Sequence, residues 1–320
     1  MSIRKIEIGK FTVFNNITVE SCKGINVIIG DNGTGKTHLL KLIYAVWLRR
    51  DDEFFKFERL FSENGNLTKF SYTEDSLDDN HYRLDIGNDE ANEYRRTAVI
   101  ESSDLYTPLF IPAKEMLSMS NITRIDDKFS KELAIDITLT DIIRKAQTIK
   151  PDETPLLAEK IAIKLERIID GKVFVKADNS FWVRKNDQKE ISFSMEAEGF
   201  RKFGLLWQLI MNESIRNGTV LLWDEPEANI NPRLIPDLVK IMLELSRNGV
   251  QIFIATHDYF LAKYIEVLSN PNDAVAFHSL HKTGEGVKCE SDIKFSTLIN
   301  NEIIAEKIRL YEAEIEKVSE

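Results

Sequence analysis

Gly30-Asp31-Asn32-Gly33-Thr34-Gly35-Lys36-Thr37 has three glycines in its first six positions and ends on a lysine and a hydroxyl. The six residues before it, Gly24-Ile25-Asn26-Val27-Ile28-Ile29, read as a short buried strand. After it, His38-Leu39-Leu40-Lys41-Leu42-Ile43 places apolar residues at helical spacing. A glycine-rich turn between a strand and a helix start is the P-loop pattern, which a random chain of this length would match roughly once in a hundred times. Its backbone N–H groups can wrap the α- and β-phosphates of a nucleotide, and the helix N-terminus adds partial positive charge. Lys36 can reach the β- and γ-phosphates, and the Thr37 hydroxyl can ligate Mg²⁺. Gly30 through Thr37, with His38 at the helix start, are therefore the candidate nucleotide-binding residues.

The rest of the composition sets bounds. The 320 residues allow one large domain or two ordinary ones, and 43% hydrophobic with 29% charged is ordinary for a globular chain. A net charge of -10 opposes indiscriminate nucleic-acid binding, because a polyanion is repelled at long range, and leaves open only a local basic groove. Cys22 and Cys289 are the only cysteines, which suggests neither a disulfide framework nor a zinc site and fits a reducing cytoplasm. Residues 1–8 alternate like a strand and lack the long apolar run of a signal peptide. No stretch reaches about 18 apolar residues, so no membrane span is expected.

In chain order, residues 3–8 and 11–19 read as strands joined by a turn at Gly9-Lys10, and the P-loop helix runs to about Leu48. Alternating runs at 67–72, 81–86 and 94–100 predict an antiparallel lobe. Pro108-Leu109-Phe110-Ile111-Pro112 reads as a short buried strand. Residues 113–170 are mostly helical in pattern, and 172–176 with 180–184 read as a hairpin that a third run, 190–193, joins. A helix over 199–215 and two α/β units follow: strand 219–223 with helix 232–247, then strand 250–255 with helix 259–268. A terminal hairpin and a charged helix complete the chain. The expected organisation is a discontinuous core, 1–111 with 194–320, interrupted by a helical and β-hairpin insertion at 112–193.

Val220-Leu221-Leu222-Trp223-Asp224-Glu225 is an apolar strand ending in two carboxylates, the Walker B layout. A carboxylate at a strand's C-terminal end reaches the crevice where P-loop phosphates lie. Asp224 is the candidate Mg²⁺ ligand, as hard oxygen ligation requires, and Glu225 the candidate that polarises an attacking water. Thirty-two residues after Glu225, another apolar strand ends in Thr256-His257-Asp258. A neutral His257 imidazole there can donate to a γ-phosphate. Catalytic candidates are thus Glu225, His257 and Lys36; metal candidates are Thr37 and Asp224.

Taken together, these motifs in this order resemble the ABC-type ATPases, within them the branch of Rad50, SMC, RecF and OLD-like proteins. The resemblance covers about residues 1–45 and 190–270. It implies an α/β fold with a mixed central sheet, an antiparallel β lobe and a helical insertion. It also implies a homodimer, or a higher oligomer, sandwiching ATP and Mg²⁺ between the P-loop of one protomer and a signature loop of the other. The counterpart of that loop is Met195-Glu196-Ala197-Glu198-Gly199-Phe200-Arg201-Lys202, where Ala197 stands in place of the family's Ser and Gly199 remains to offer backbone donors. No Gln follows Ile111-Pro112; Lys114 or Glu115 is the candidate stand-in. Glu227-Ala228-Asn229-Ile230-Asn231-Pro232 occupies the D-loop position, and Asn231-Pro232 is also a good helix start.

The compact form is similar to standalone ATPases of bacterial anti-phage modules of the Septu and retron type, which implies a separate effector, often a nuclease. Only 63 residues follow His257, so no nuclease domain is expected in this chain. A slow-turnover, ATP-gated scaffold is the alternative, and a transporter cassette a weaker one. The basic pairs Arg49-Arg50, Arg95-Arg96, Arg144-Lys145 and Arg201-Lys202 read as solvated faces that would, if gathered, support weak, salt-sensitive DNA binding.

Overall fold

The computed structural model describes residues 2–48, 81–86, 96–102, 107–124 and 136–319. The run at 67–72 and the pair Arg49-Arg50 lie outside the described residues. The central sheet has six strands in the order β13-β12-β3-β11-β10-β6. Its members are β3 (Ile25–Gly30), β6 (Thr107–Ile111), β10 (Thr219–Asp224), β11 (Gln251–Ala255), β12 (Val275–Thr283) and β13 (Gly286–Asp292). All neighbours run parallel except β12 with β13.

Parallel strands covered on both faces read as continuous apolar runs, and β3, β10 and β11 do. Alternate residues face opposite layers. Ile28, Val220, Leu222 and Phe253 pack with Leu39, Leu40 and Ile43 of α1 (Lys36–Leu48) and with Ile6, Ile8 and Phe14 of a second sheet. Val27, Leu221, Trp223 and Ile254 pack on the other side. That layer holds α2 (Ile137–Ala146), α3 (Leu156–Ile169), α4 (Glu198–Met211), α5 (Ile235–Arg247) and α6 (Tyr259–Leu268). Helix α7 (Glu302–Ser319) follows the terminal hairpin and is largely exposed. Among the described residues no helix is long and apolar enough to cross a membrane.

The antiparallel lobe is a four-stranded sheet, β2-β1-β5-β4, built from β1 (Ile3–Phe11), β2 (Phe14–Glu20), β4 (His81–Ile86) and β5 (Arg96–Ser102). Its first turn falls at Thr12-Val13, later than Gly9-Lys10, because Phe11 pairs with Phe14 and burying both rings sets the register. A small sheet of β7 (Gly171–Val175), β8 (Phe181–Lys185) and β9 (Glu190–Ser192) stands over α4, where Phe193 fills the space above Gly204. Helix α2 is tied to α4 by Gln208, whose amide donates to the Ala146 carbonyl at 2.7 Å. The terminal hairpin does more than predicted: β12 joins the central sheet beside β3, so the P-loop strand is flanked on both sides.

Candidate functional site

The register brings the chemistry together. Ile28 on β3 pairs with Ala255 on β11, and Ala255 with Asp224 on β10, so the carboxyl ends of the three strands are level. From β3 the chain turns through Gly30, Gly33 and Gly35, which have φ values of +148°, +76° and +90°. At Gly35 a side chain is doubly excluded, since a Cβ would lie 2.5 Å from the Phe14 ring and the backbone is left-handed. Thr34 closes the turn by donating its hydroxyl to the Asp31 carbonyl at 2.8 Å. Asp31 and Asn32 sit exposed at its tip.

Lys36 is only 9% exposed, and its ammonium lies in the turn, donating to the carbonyls of Gly30 at 2.7 Å and Asp31 at 3.0 Å. Burial lowers its pKa, and Glu225, Asp224, Asp31 and Glu227 oppose that shift. The first intrahelical bond of α1 runs from Leu39 N–H to the Gly35 carbonyl at 2.8 Å. The amides of Lys36 and Thr37 precede that bond, in the position of the open N–H groups of a helix start.

Across the sheet, the Thr37 hydroxyl donates to Asp224 Oδ2 at 2.9 Å, linking residues 187 positions apart. Burial raises the Asp224 pKa, against the Thr37 hydrogen bond and the positive charges of Lys41 and Lys36. A hydroxyl and a carboxylate oxygen side by side, next to a cationic cradle, form the hard-oxygen pair that Mg²⁺ on a triphosphate uses. The residues fit both groups.

Glu225 has φ +44°, and its N–H donates to the Ala255 carbonyl at 2.9 Å. The turn aims its carboxylate at His257, whose Nδ1 lies 3.2 Å from Oε1. The flanking residues explain why His257 is available. Thr256 is buried and donates to Glu227 Oε1 at 2.6 Å. Asp258 caps α6 by accepting from Leu261 N–H at 2.6 Å. His257 is left with 60% of its side chain exposed at the strand end.

A family described as "AAA domain, putative AbiEii toxin, Type IV TA system" matches residues 25–263, about three quarters of the chain. The chain belongs to this AAA-domain family. The "DNA replication and repair protein RecF" of Shewanella frigidimarina is 32% identical over 77 residues, 24% of this chain and 21% of that protein. The chain thus spans about a fifth of the length of the RecF relatives it matches. A "Putative ABC transporter ATP-binding protein" of Methanosarcina acetivorans is 24% identical over 262 residues, 81% of this chain and 72% of that one. The SMC head domain from Thermotoga maritima superposes with a TM-score of 0.45 at 12% identity, over 90% of this chain and 98% of that one.

The remaining predicted positions of this AAA-domain chain stand apart from the cluster. Gly199 lies in the first turn of α4, and a Cβ there would sit 3.0 Å from the Asn229 carbonyl; among the described residues no hydrogen bond joins it to Lys36, Thr37, Asp224, Glu225 or His257. Ala197 is the exposed N-cap and accepts from Arg201 N–H through its carbonyl at 3.0 Å. Ser194 bonds Ser192, hydroxyl to hydroxyl, at 2.9 Å. Glu115 does not turn toward the cluster. Its carboxylate accepts from the amides of Leu117 and Ser118 and pairs with Arg201 at 3.1 Å, tying the segment after β6 to α4.

Three residues take places that local sequence does not show. The sequence gives Glu227 only as the first residue of the D-loop segment; in the fold its carboxyl accepts from Thr256, and burial raises its pKa to about 7. Arg201-Lys202, which the sequence places on a solvated face, is covered where α4 packs against the segments after β6 and β10: Lys202 is buried and Arg201 half-buried. The doublet itself carries no periodic signal that separates the two cases.

Proposed function

We propose that this chain is a Mg²⁺-dependent ATPase that closes as a homodimer around ATP and through that closure controls a separate effector protein such as a nuclease, in bacterial anti-phage defence. The observation that carries the reading is the pairing of Thr37 with Asp224 and of Glu225 with His257 at level strand ends. Lys36 and the amides of residues 33–38 bind the phosphates; Thr37 and Asp224 hold the metal. Mg²⁺, when bound, offsets charge on the phosphate oxygens and favours ionised Asp224. Glu225 accepts a hydrogen bond from water and holds it in line with the γ-phosphorus, and the neutral His257 imidazole donates its single ring N–H to the γ-phosphate. The water oxygen bonds to the γ-phosphorus and gives up its proton to Glu225 as the bond to the bridging oxygen breaks; ADP leaves with that electron pair, and the proton passes on to solvent with the released phosphate. Charge stabilisation by preplaced donors supplies most of the rate.

The test is a pair of variants. Glu225→Gln keeps ATP, accumulates a dimer measurable by light scattering and loses on the order of 10² to 10⁴ in rate. Lys36→Ala binds little nucleotide. Parent-rate hydrolysis by Glu225→Gln overturns the assignment.

Dimer formation is supported by the helix start at Gly199, whose Ala197 N-cap makes no side-chain cap hydrogen bond and whose first-turn amides suit a partner's nucleotide. The family description, which names a toxin–antitoxin system, and the RecF relatives, named for DNA replication and repair, support a defence or DNA-linked setting. Residues 112–193 are the proposed effector contact, and co-purification with the neighbouring gene product tests it. DNA binding is expected to be weak, salt-sensitive and non-specific, and a low-salt gel shift with ATP tests it. Ala197 and the engaged Glu115 favour one second reading, a slow-turnover scaffold; stimulation of turnover by DNA or effector rejects it. A transporter cassette would copurify with a membrane-spanning subunit.

A further inference from the structure

Helix α4 carries a buried lysine that the proposed reaction leaves unused. Lys202 is 2% exposed, and its ammonium donates to the Glu225 carbonyl at 2.9 Å and reaches the Pro226 carbonyl at 3.5 Å. An ammonium taken out of water is costly, and an apolar residue of similar volume commonly serves packing as well or better. A buried donor aimed at two main-chain carbonyls therefore points to a task other than filling space.

The task lies in the shape of residue 225. Glu225 is a non-glycine residue in the left-handed region, a conformation that persists only where its surroundings over-determine it. Both sides of the residue are held. Its N–H is bonded to Ala255, and its carbonyl accepts from Ala228 N–H at 3.1 Å and from Lys202. With both ends fixed, the direction of the Cα–Cβ bond is set, and from it the carboxylate reaches His257 Nδ1 at 3.2 Å.

We infer that Lys202 is a positioning residue: it locks the left-handed backbone of Glu225 and so aims the carboxylate at the attacking water. The inference rests on the proposed role of Glu225. Lys202 acts through the carbonyl of a residue on another element. A misplacement of about 1 Å in such a group costs on the order of 10²-fold in rate.

The full chain is assayed for phosphate release with Mg-ATP, and nucleotide affinity is measured separately with a fluorescent ATP analogue. Lys202→Met, which keeps the length and removes the donor, is expected to lower kcat about 10²-fold while KM and affinity stay at parent values. Lys202→Gln, shorter but still a donor, recovers part of the rate; if the Met variant does not fold, a lowered kcat with intact affinity in Lys202→Gln carries the same conclusion. The double variant Lys202→Met/Glu225→Gln is expected to be no slower than Glu225→Gln alone, because the lysine acts only through that carboxylate. Parent kcat in either folded variant, a loss of affinity matching the loss of kcat, or a double variant slower than Glu225→Gln overturns the inference. A slowed Glu225→Gln beside a parent-rate Lys202→Met defeats this inference alone, whereas a parent-rate Glu225→Gln defeats the reading beneath it as well.

Discussion

Glu227→Gln should change how the stability of the chain depends on pH. The Glu227 carboxyl accepts from Thr256 through one oxygen, and the other is buried with no hydrogen-bond partner among the described residues. Burial raises its pKa to about 7; the Thr256 hydroxyl and the residue's own amide pull the other way, Asp258 adds repulsion, and His257 attraction. Between the ordinary value of 4.5 and about 7, the native chain keeps a proton that the unfolded chain has released. The stabilisation is therefore full below 4.5 and is lost as pH rises through about 7. At about 1.4 kcal/mol per pH unit, the whole swing is on the order of 3 kcal/mol. Gln is neutral at every pH and still offers Thr256 an acceptor. Urea unfolding without nucleotide, in EDTA, should show the variant gaining on the parent by roughly 2 to 3 kcal/mol between about pH 5 and about pH 8. Parallel stability curves over that range would mean that native Glu227 is already ionised, and the argument from its burial would be wrong.

Two further predictions concern the cradle. Asp224→Asn retains an acceptor for Thr37 but removes the charge, so the Mg²⁺ concentration for half-maximal ATP hydrolysis should rise by at least about tenfold in a metal titration, and an unchanged requirement would remove Asp224 from the metal site. Gly35→Ala forces a Cβ to 2.5 Å from Phe14 and 2.7 Å from Val13 at φ +90°, and should destabilise the chain by about 1 to 3 kcal/mol in thermal unfolding and weaken ATP binding. Gly284→Ala, with nothing within 4 Å, is its control and should stay within about 0.5 kcal/mol of the parent.

What could be read from the order of residues was whatever is decided within a few positions along the chain. Three glycines were required at Gly30, Gly33 and Gly35 because only they adopt those backbone angles at low cost, and the apolar runs before Gly30, Glu225 and Thr256 had the continuous pattern of strands buried on both faces. The helix start at Asn231-Pro232 was legible for the same reason: the Asn231 side chain accepts from Arg233 N–H two residues on. The strand order β12-β3-β11-β10-β6, which levels Gly30, Asp224 and Thr256, was set by packing between segments up to 250 residues apart. Lys202 and Arg201 carry the same charge on the page as any exposed doublet, and only the segments that close over α4 turn one toward Glu225 and the other toward Glu115. Backbone preference is local and so is written in sequence, whereas burial of a charge depends on which distant surface arrives to cover it, and only the folded chain decides that.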